Sequence, residues 1–343
     1  MRPPQGCTLL VLFATTFATG EGRNRDHGAR ARRHHHRRSA ALLSAGPTVD
    51  CLSGPWVAAG RISVMDMPCS AKGVDASVDD SDAVERCAQI AANCSIALHF
   101  PHGKYWLGRT LALSTATLHS RDGAIALTGD SWNSAELCGC SGCNDRGTCN
   151  SGPVILFGQP DGGGCCSSVH HLDVLGMHSA VHVLNHPGVR MSQVALTALS
   201  PAVDEAPLVI TNGFEYYFQD CDFTGAGRGP DHPAVLLRGA NATSYNGSYA
   251  RTPYVYMVSF DRSEFVMGGV LYEQTAQLDN VGAVFFSFYT CYTEASSMPL
   301  LTFTSAPGVR KFRVEEVTIV DYGNCARAKL PRLRAHDALS RVN

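Results

Sequence analysis

Five segments in the second half of the chain repeat one pattern: two apolar residues spaced by one, a bend residue two further on, and an apolar residue three beyond that. Val189, Met191, Gln193 and Leu196 open the series. Tyr216, Phe218, Asp220 and Phe223 follow, then Val258, Phe260, Arg262 and Phe265. Phe286, Phe288, Thr290 and Thr293 fit with a Thr in last place, and Phe312, Val314, Glu316 and Ile319 close the series. The starts lie 27, 42, 28 and 26 residues apart. A near-constant period of this length means stacked units that bury their apolar faces only against one another. Alternation within each unit is that of a strand. Equivalent positions are then expected about 4.8 Å apart, so residues distant in sequence become a ladder. The long interval holds a polar stretch, 241–253, with glycosylation sequons at Asn241 and Asn246. Removing roughly fifteen residues there restores the period, as for a loop inserted in a solenoid. Shorter strands at 181–185, 208–212, 235–239 and 270–274 end in Asn185, Asn212, Gly239 and Gln274, which predicts a ladder of side-chain amides.

Charged residues make up only 17% of the chain and glycines number 33, a mix that suits strands and turns better than helices. Arg2 followed by the short apolar run 8–18 reads as a signal peptide over 1–20, too short to span a bilayer. No other stretch is long and apolar enough, so the expectation is a secreted protein without membrane insertion. Fourteen cysteines agree with export. With Cys7 set aside the count is odd. Cys138, Cys140, Cys143 and Cys149, with Cys165 and Cys166, mark a Cys-rich insertion at about 130–168. Their Cys-x-x-Cys spacing suits zinc in a cytosolic protein; after a signal peptide it favours disulfides. Cys221 and Cys291 sit inside strands and are expected to be buried and unpaired. Residues 21–48 read as a basic disordered linker and 326–343 as a basic unstructured tail. The body between 39 and 325 holds 27 acidic against 15 basic residues, a surface that repels polyuronides. No basic groove with stacking aromatics and no finger spacing is present, which argues against nucleic acid.

Gly73, Val74, Asp79, Asp80 and Ser81 lead into an apolar stripe of Val84, Cys87, Ala88 and Ala91. Asp79, Asp80 and Ser81 are placed to cap a helix. Phe100, Pro101, Gly103 and Tyr105 then make a turn into a strand. This block resembles the N-terminal signature of the pectate-lyase-like superfamily, over about 35 residues. The resemblance implies an all-β fold, a single-stranded right-handed parallel β-helix with a short N-terminal capping α-helix, here over 49–325. It also implies that Asp79 and Asp80 cap rather than catalyse. Proteins of this superfamily cleave, epimerise or bind polysaccharides, and the fold also serves as a non-catalytic stalk. The Asn-Thr-Asp, Gly-His-Gly and Arg-Ile-Lys signatures of its polygalacturonase-like hydrolases are absent, as is the Asp-Pro-His of alginate epimerases.

The bend positions read Gln193, Asp220, Arg262, Thr290 and Glu316; two residues on they read Ala195, Asp222, Glu264, Tyr292 and Thr318. Superposed rungs put Asp220 against Arg262 and Asp222 against Glu264. Two carboxylates about 5 Å apart suit a retaining glycosidase, one raised as acid and one acting as nucleophile. Alternatively Asp222 and Glu264 hold calcium, with Arg262 as the base that the superfamily's lyases use. The plain alternative is an inter-coil ion pair between Asp220 and Arg262, with Asp222 and Glu264 in solvent. Tyr292, Tyr256 and Tyr216 are the expected substrate-binding residues. His170, His171, His178 and His182, with Asp173 among them, form a weaker candidate metal cluster. The expected function is action on a polysaccharide as lyase or glycoside hydrolase; the alternative is a non-catalytic glycan-binding or structural β-helix, or a degenerate or truncated enzyme. An enzyme should gather at least three polar ladder residues in a groove; a binding module should expose aromatics, with Tyr216, Tyr217, Tyr256 and Tyr272 in view.

Overall fold

The computed structural model describes residues 51, 56, 59–114, 118, 124–160, 164–200, 205–225, 232–240, 253–276, 282–294, 300–305 and 312–320, the last segment as backbone only. The expected signal peptide, basic linker and tail, and both sequons, lie outside these residues. Every ladder between the described strands is parallel. Each coil runs along a first face, turns at a bend onto a second face, and returns along a third. The coil Gly213–Gln219, Asp222–Thr224, Val235–Gly239 stacks on Val255–Asp261, Glu264–Val266, Val270–Gln274. The chain is thus a parallel β-helix, the architecture that the resemblance implies.

Met191, Phe218, Phe260 and Phe288 are successive register partners, and so are Leu196, Phe223, Phe265 and Thr293. Like residues on consecutive rungs lie ring on ring. Phe218, Phe260 and Phe288 stack at 5.0 and 5.2 Å between centroids, and Phe223 stacks on Phe265 at 5.4 Å. Burying each ring contributes about 2–3 kcal/mol, and each ring pair adds about 1 kcal/mol. The bends are left-handed: His171, Gln193, Asp220, Arg262 and Thr290 have φ between 47° and 56°. Recurrence on these five consecutive rungs marks one corner at one position of the repeat.

The last repeat departs from expectation. Phe312 pairs with Gly282 and Phe286 pairs with Val317, after a register shift at Val284/Phe285. In this register Glu316 lies opposite Phe285, away from the bend column. The amide ladder is also shorter than expected. Asn212 Nδ2 donates to Asn185 Oδ1 at 3.0 Å, and Asn212 Oδ1 accepts from Ala240 N at 2.9 Å. At Gly239 the ladder stops, and Gln274 fills the space: a Cβ on Gly239 would lie 2.1 Å from Gln274 Oε1.

The helix α1, Ser81–Cys94, closes the first coil with Val84, Cys87, Ala88 and Ala91 buried, as the stripe requires. Its acidic residues divide the capping role. Asp79 Oδ1 accepts from Ser81 N at 2.9 Å and from Gly108 N at 3.0 Å. Asp80 turns away from the helix and accepts from Lys72 N and Gly73 N at 2.7 and 3.2 Å, fastening the preceding loop. Among the described residues five disulfides join Cys51–Cys94, Cys69–Cys87, Cys138–Cys143, Cys140–Cys149 and Cys165–Cys166. They fit an oxidising compartment. Cys221 and Cys291 are unpaired and buried. The stretch 130–168 is not wholly an insertion: Ala135–Cys138 and Ile155–Gly158 are rungs, and the disulfide-bonded loop lies between them. Among the described residues no helix is long and apolar enough to cross a membrane.

Candidate functional site

The second face is built by the short strands after each bend. Its outward column is set by register: Glu136, Asp173, Ala195, Asp222, Glu264 and Tyr292 are successive partners. Four carboxyls, interrupted by one alanine, therefore rise along one face and end at a phenol. The structure brings Asp222, Glu264 and Tyr292 together as the ladder predicted. The Tyr292 hydroxyl donates to Glu264 Oε2. Asp173, Glu136 and Glu294 were not assigned to this site from the sequence. Extending the bend-plus-two column to the earlier rungs finds Asp173, and the next outward position finds Glu294.

Electrostatics follow from crowding. Burial pushes the Asp173 carboxyl up to about 6, and Glu136 and Asp222 add to the shift. Burial raises Asp222 as well, opposed by the Thr224 hydroxyl at 3.2 Å and reinforced by Glu294. Glu264 is raised by burial; the Tyr292 hydroxyl opposes this, while Glu294 and Asp222 push further upward. Lys104 sits 2.7 Å from Glu136 at the foot of the column. Among the described residues no cation forms an ion pair with Asp173, Asp222 or Glu264.

The raised Asp173 makes a pH prediction. Its folded pKa exceeds the unfolded value, so its favourable contribution is present below about pH 4 and is lost as pH rises through about 6. Asp173→Asn should therefore raise the melting temperature at pH 8 and leave it nearly unchanged at pH 4, by of order 1 kcal/mol after solvent screening. Equal shifts at both pH values in thermal melts would contradict the assignment.

In this geometry Asp220 and Arg262 are taken up with each other. Arg262 Nε and Nη2 donate to the two Asp220 oxygens at 2.6 and 3.0 Å, and Nη1 donates to Asp261 at 3.0 Å. Asp220 holds the guanidinium in its charged form and raises its pKa, the opposite of what a base needs. The bend places the two side chains on adjacent rungs, and the result is an exposed inter-coil ion pair. Tyr216 is also excluded from substrate binding. Alternation turns it inward with Phe218, fully buried, its hydroxyl donating to Asn212 O at 2.8 Å. Tyr272 is buried likewise. Tyr256 is half-buried against Phe214 at the start of its strand, at the far end from the bend that leads to the carboxyls. Among the aromatics in view, Tyr217 is exposed on the first face.

The residues do not fit calcium. Among the described residues, Asp222 and Glu264 belong to no group of three carboxylate, imidazole or thiol ligand atoms that all lie within 4.8 Å of one another, short of the six to eight oxygens the ion takes. The group that does converge, Glu136 with Cys138 and Cys143, has its sulfurs joined in a disulfide. The four histidines separate as well. His171 is a bend residue and His170 lies on the first face in register with Ser192. His178 and His182 line a cavity of about 140 Å³ on the third face with Glu205 and Arg238. There His178 Nδ1 bonds Ser200 O at 2.7 Å and His182 Nε2 bonds Thr211 Oγ1 at 3.1 Å. Burial pushes His182 down to about 4, so it is neutral near pH 7. Arg238 is paired with Glu273 at 3.1 Å.

No protein-family model matches the chain. Aspartokinase 2 of Bacillus subtilis (strain 168) is 28% identical over 101 residues, which are 29% of this chain and 25% of that enzyme. The chain thus aligns with a quarter of that relative's length. Among solved structures, the Dettilon tailspike protein has 10% identity and a TM-score of 0.42, over 72% of this chain and 46% of that one. PfbA, a surface adhesin of Streptococcus pneumoniae, has 11% identity and a TM-score of 0.41, over 77% of this chain and 79% of that one. An endo-xylogalacturonan hydrolase from Aspergillus tubingensis has 12% identity and a TM-score of 0.31, over 74% and 90%. These are similarities of this chain to those proteins and transfer no activity to it.

Proposed function

We propose that this protein is an exported glycoside hydrolase acting on a neutral polysaccharide through Asp222 and Glu264. The observation that carries the reading is the carboxyl column, with Asp222 and Glu264 in register on adjacent rungs, in no ion pair among the described residues, and both raised in pKa. Asp222, whose pKa burial raises, gives its proton to the leaving glycosidic oxygen. Glu264, its charged form favoured by the Tyr292 hydroxyl, attacks the anomeric carbon as the glycosidic bond breaks. Water, deprotonated by Asp222, then releases the sugar from Glu264 and restores both groups. Rung spacing of about 5 Å suits this retaining course. Glu294 adds its charge beside the pair and pushes both carboxyls further upward.

A lyase is disfavoured by Arg262, whose guanidinium is occupied by Asp220 and Asp261. The acidic body disfavours polyuronides. Export rests on the signal-like first residues and the five disulfides. Activity should fall as pH rises, because the raised acid must keep its proton.

The reading is tested with a panel of neutral glucans and polyuronides, each with calcium and with a chelator. The expected result is new reducing ends from a neutral glucan, unchanged by chelation. Unsaturated products that need calcium would restore the lyase, and no product from any polymer would leave a glycan-binding β-helix.

A further inference from the structure

We propose that the outer surface of the first face is a separate binding subsite for a neutral glycan, walled by Tyr217, Met257, Phe285 and Tyr289 and floored by Ser259 and Ser287. It takes its ligand class from the hydrolase reading, but binding is measured apart from cleavage. On three consecutive rungs the outward positions are register partners: Tyr217, Ser259 and Ser287 in one column, Asp261 and Tyr289 in the next. Tyr217, Met257, Phe285 and Tyr289 are 42%, 40%, 41% and 42% exposed. They surround a cleft of about 380 Å³. An exposed apolar cluster of this kind marks an interaction surface. Two walls stand on irregular backbone: Met257 has φ 58°, and Phe285 follows the register shift at Val284/Phe285. Such irregularities re-aim side chains.

The chemistry of the cleft selects the occupant. A pyranose ring offers C–H faces to aromatic walls and hydroxyls to the serine floor, and a ligand cleft is apolar with few polar groups in this way. The cations at the rim are engaged: Arg190 lies 5.5 Å over the Tyr217 ring, and Arg262 is held by Asp261 and Asp220. A uronate carboxylate is repelled there by the adjoining carboxyl column. A neutral chain meets no such penalty. The Val255–Asp261 strand runs from the cleft to the Arg262 bend, beyond which Glu264 lies on the second face. A glycan crossing that corner would touch both surfaces.

The test is electrophoresis of the full chain through native gels containing hydroxyethylcellulose, laminarin or polygalacturonate. Wild type and Asp222→Asn should be retarded by a neutral polymer and not by polygalacturonate. Tyr217→Ala/Tyr289→Ala should lose at least about tenfold in affinity, since two stacking contacts of about 1 kcal/mol each are removed. Both positions are exposed, so folding is preserved, and Tyr217→Phe/Tyr289→Phe should keep the retardation. Unchanged retardation of the double alanine variant, retardation by polygalacturonate alone, or none by any polymer would overturn the subsite. Retardation without cleavage would overturn only the hydrolase reading.

Discussion

Glu264→Gln and Asp222→Asn should each lower hydrolysis of a neutral glucan by about 10²–10⁴. Combining them should cost little more than the stronger single change, because the groups act as a unit. The loss should fall on kcat, with affinity for the polymer in native gels unchanged. Both substitutions remove a carboxyl that the fold raises in pKa, so neither should lower the melting temperature above pH 7. Asp220→Asn and Arg262→Gln serve as the contrast. They break the exposed ion pair and should alter stability by less than about 1 kcal/mol, with cleavage retained. Wild-type rates for the Asp222→Asn/Glu264→Gln pair would remove the site.

Phe260→Ala should destabilise the protein by about 3–5 kcal/mol. Phe260 is fully buried and lies within 5.0 to 5.8 Å, ring centroid to centroid, of Phe218, Phe223, Phe265 and Phe288. Its deletion leaves a void across three rungs, and neighbouring coils cannot close it without breaking their ladders. Phe260→Leu, which keeps most of the volume, should cost less. Urea denaturation reads both as a lowered midpoint at unchanged slope. A loss below about 1 kcal/mol for the alanine variant would contradict continuous stacking of the core.

The repeat could be read from the sequence because register makes the same demand on every rung. Phe218, Phe260 and Phe288 occupy one interior position, and Asp220, Arg262 and Thr290 one left-handed corner. The period alone therefore placed Asp222 beside Glu264. It failed at the last rung, where Phe312 pairs with Gly282 and not with Phe286, and a further register shift follows at Val284/Phe285. An irregularity of that kind leaves no mark in a pattern of apolar residues. The early coils were illegible for a different reason. Their strands run for three or four residues, as in Leu111–Leu113 and Ala126–Gly129, too short for alternation to show. Glu136, on the four-residue strand Ala135–Cys138, was therefore not joined to the column above it. Tyr216 was misassigned although alternation already sent it inward with Phe218 and left Tyr217 outside. The ion pair of Asp220 with Arg262 was legible as a pairing, but its bidentate geometry, which disqualifies the arginine as a base, needed coordinates.

The most direct measurement is digestion of a neutral glucan in heavy-oxygen water, followed by mass spectrometry of the products. If paired carboxyls on adjoining rungs split the glycosidic bond with water, each new reducing end carries one heavy oxygen, and Glu264→Gln abolishes the label. Products without the label, or label undiminished in the Asp222→Asn/Glu264→Gln protein, would contradict it.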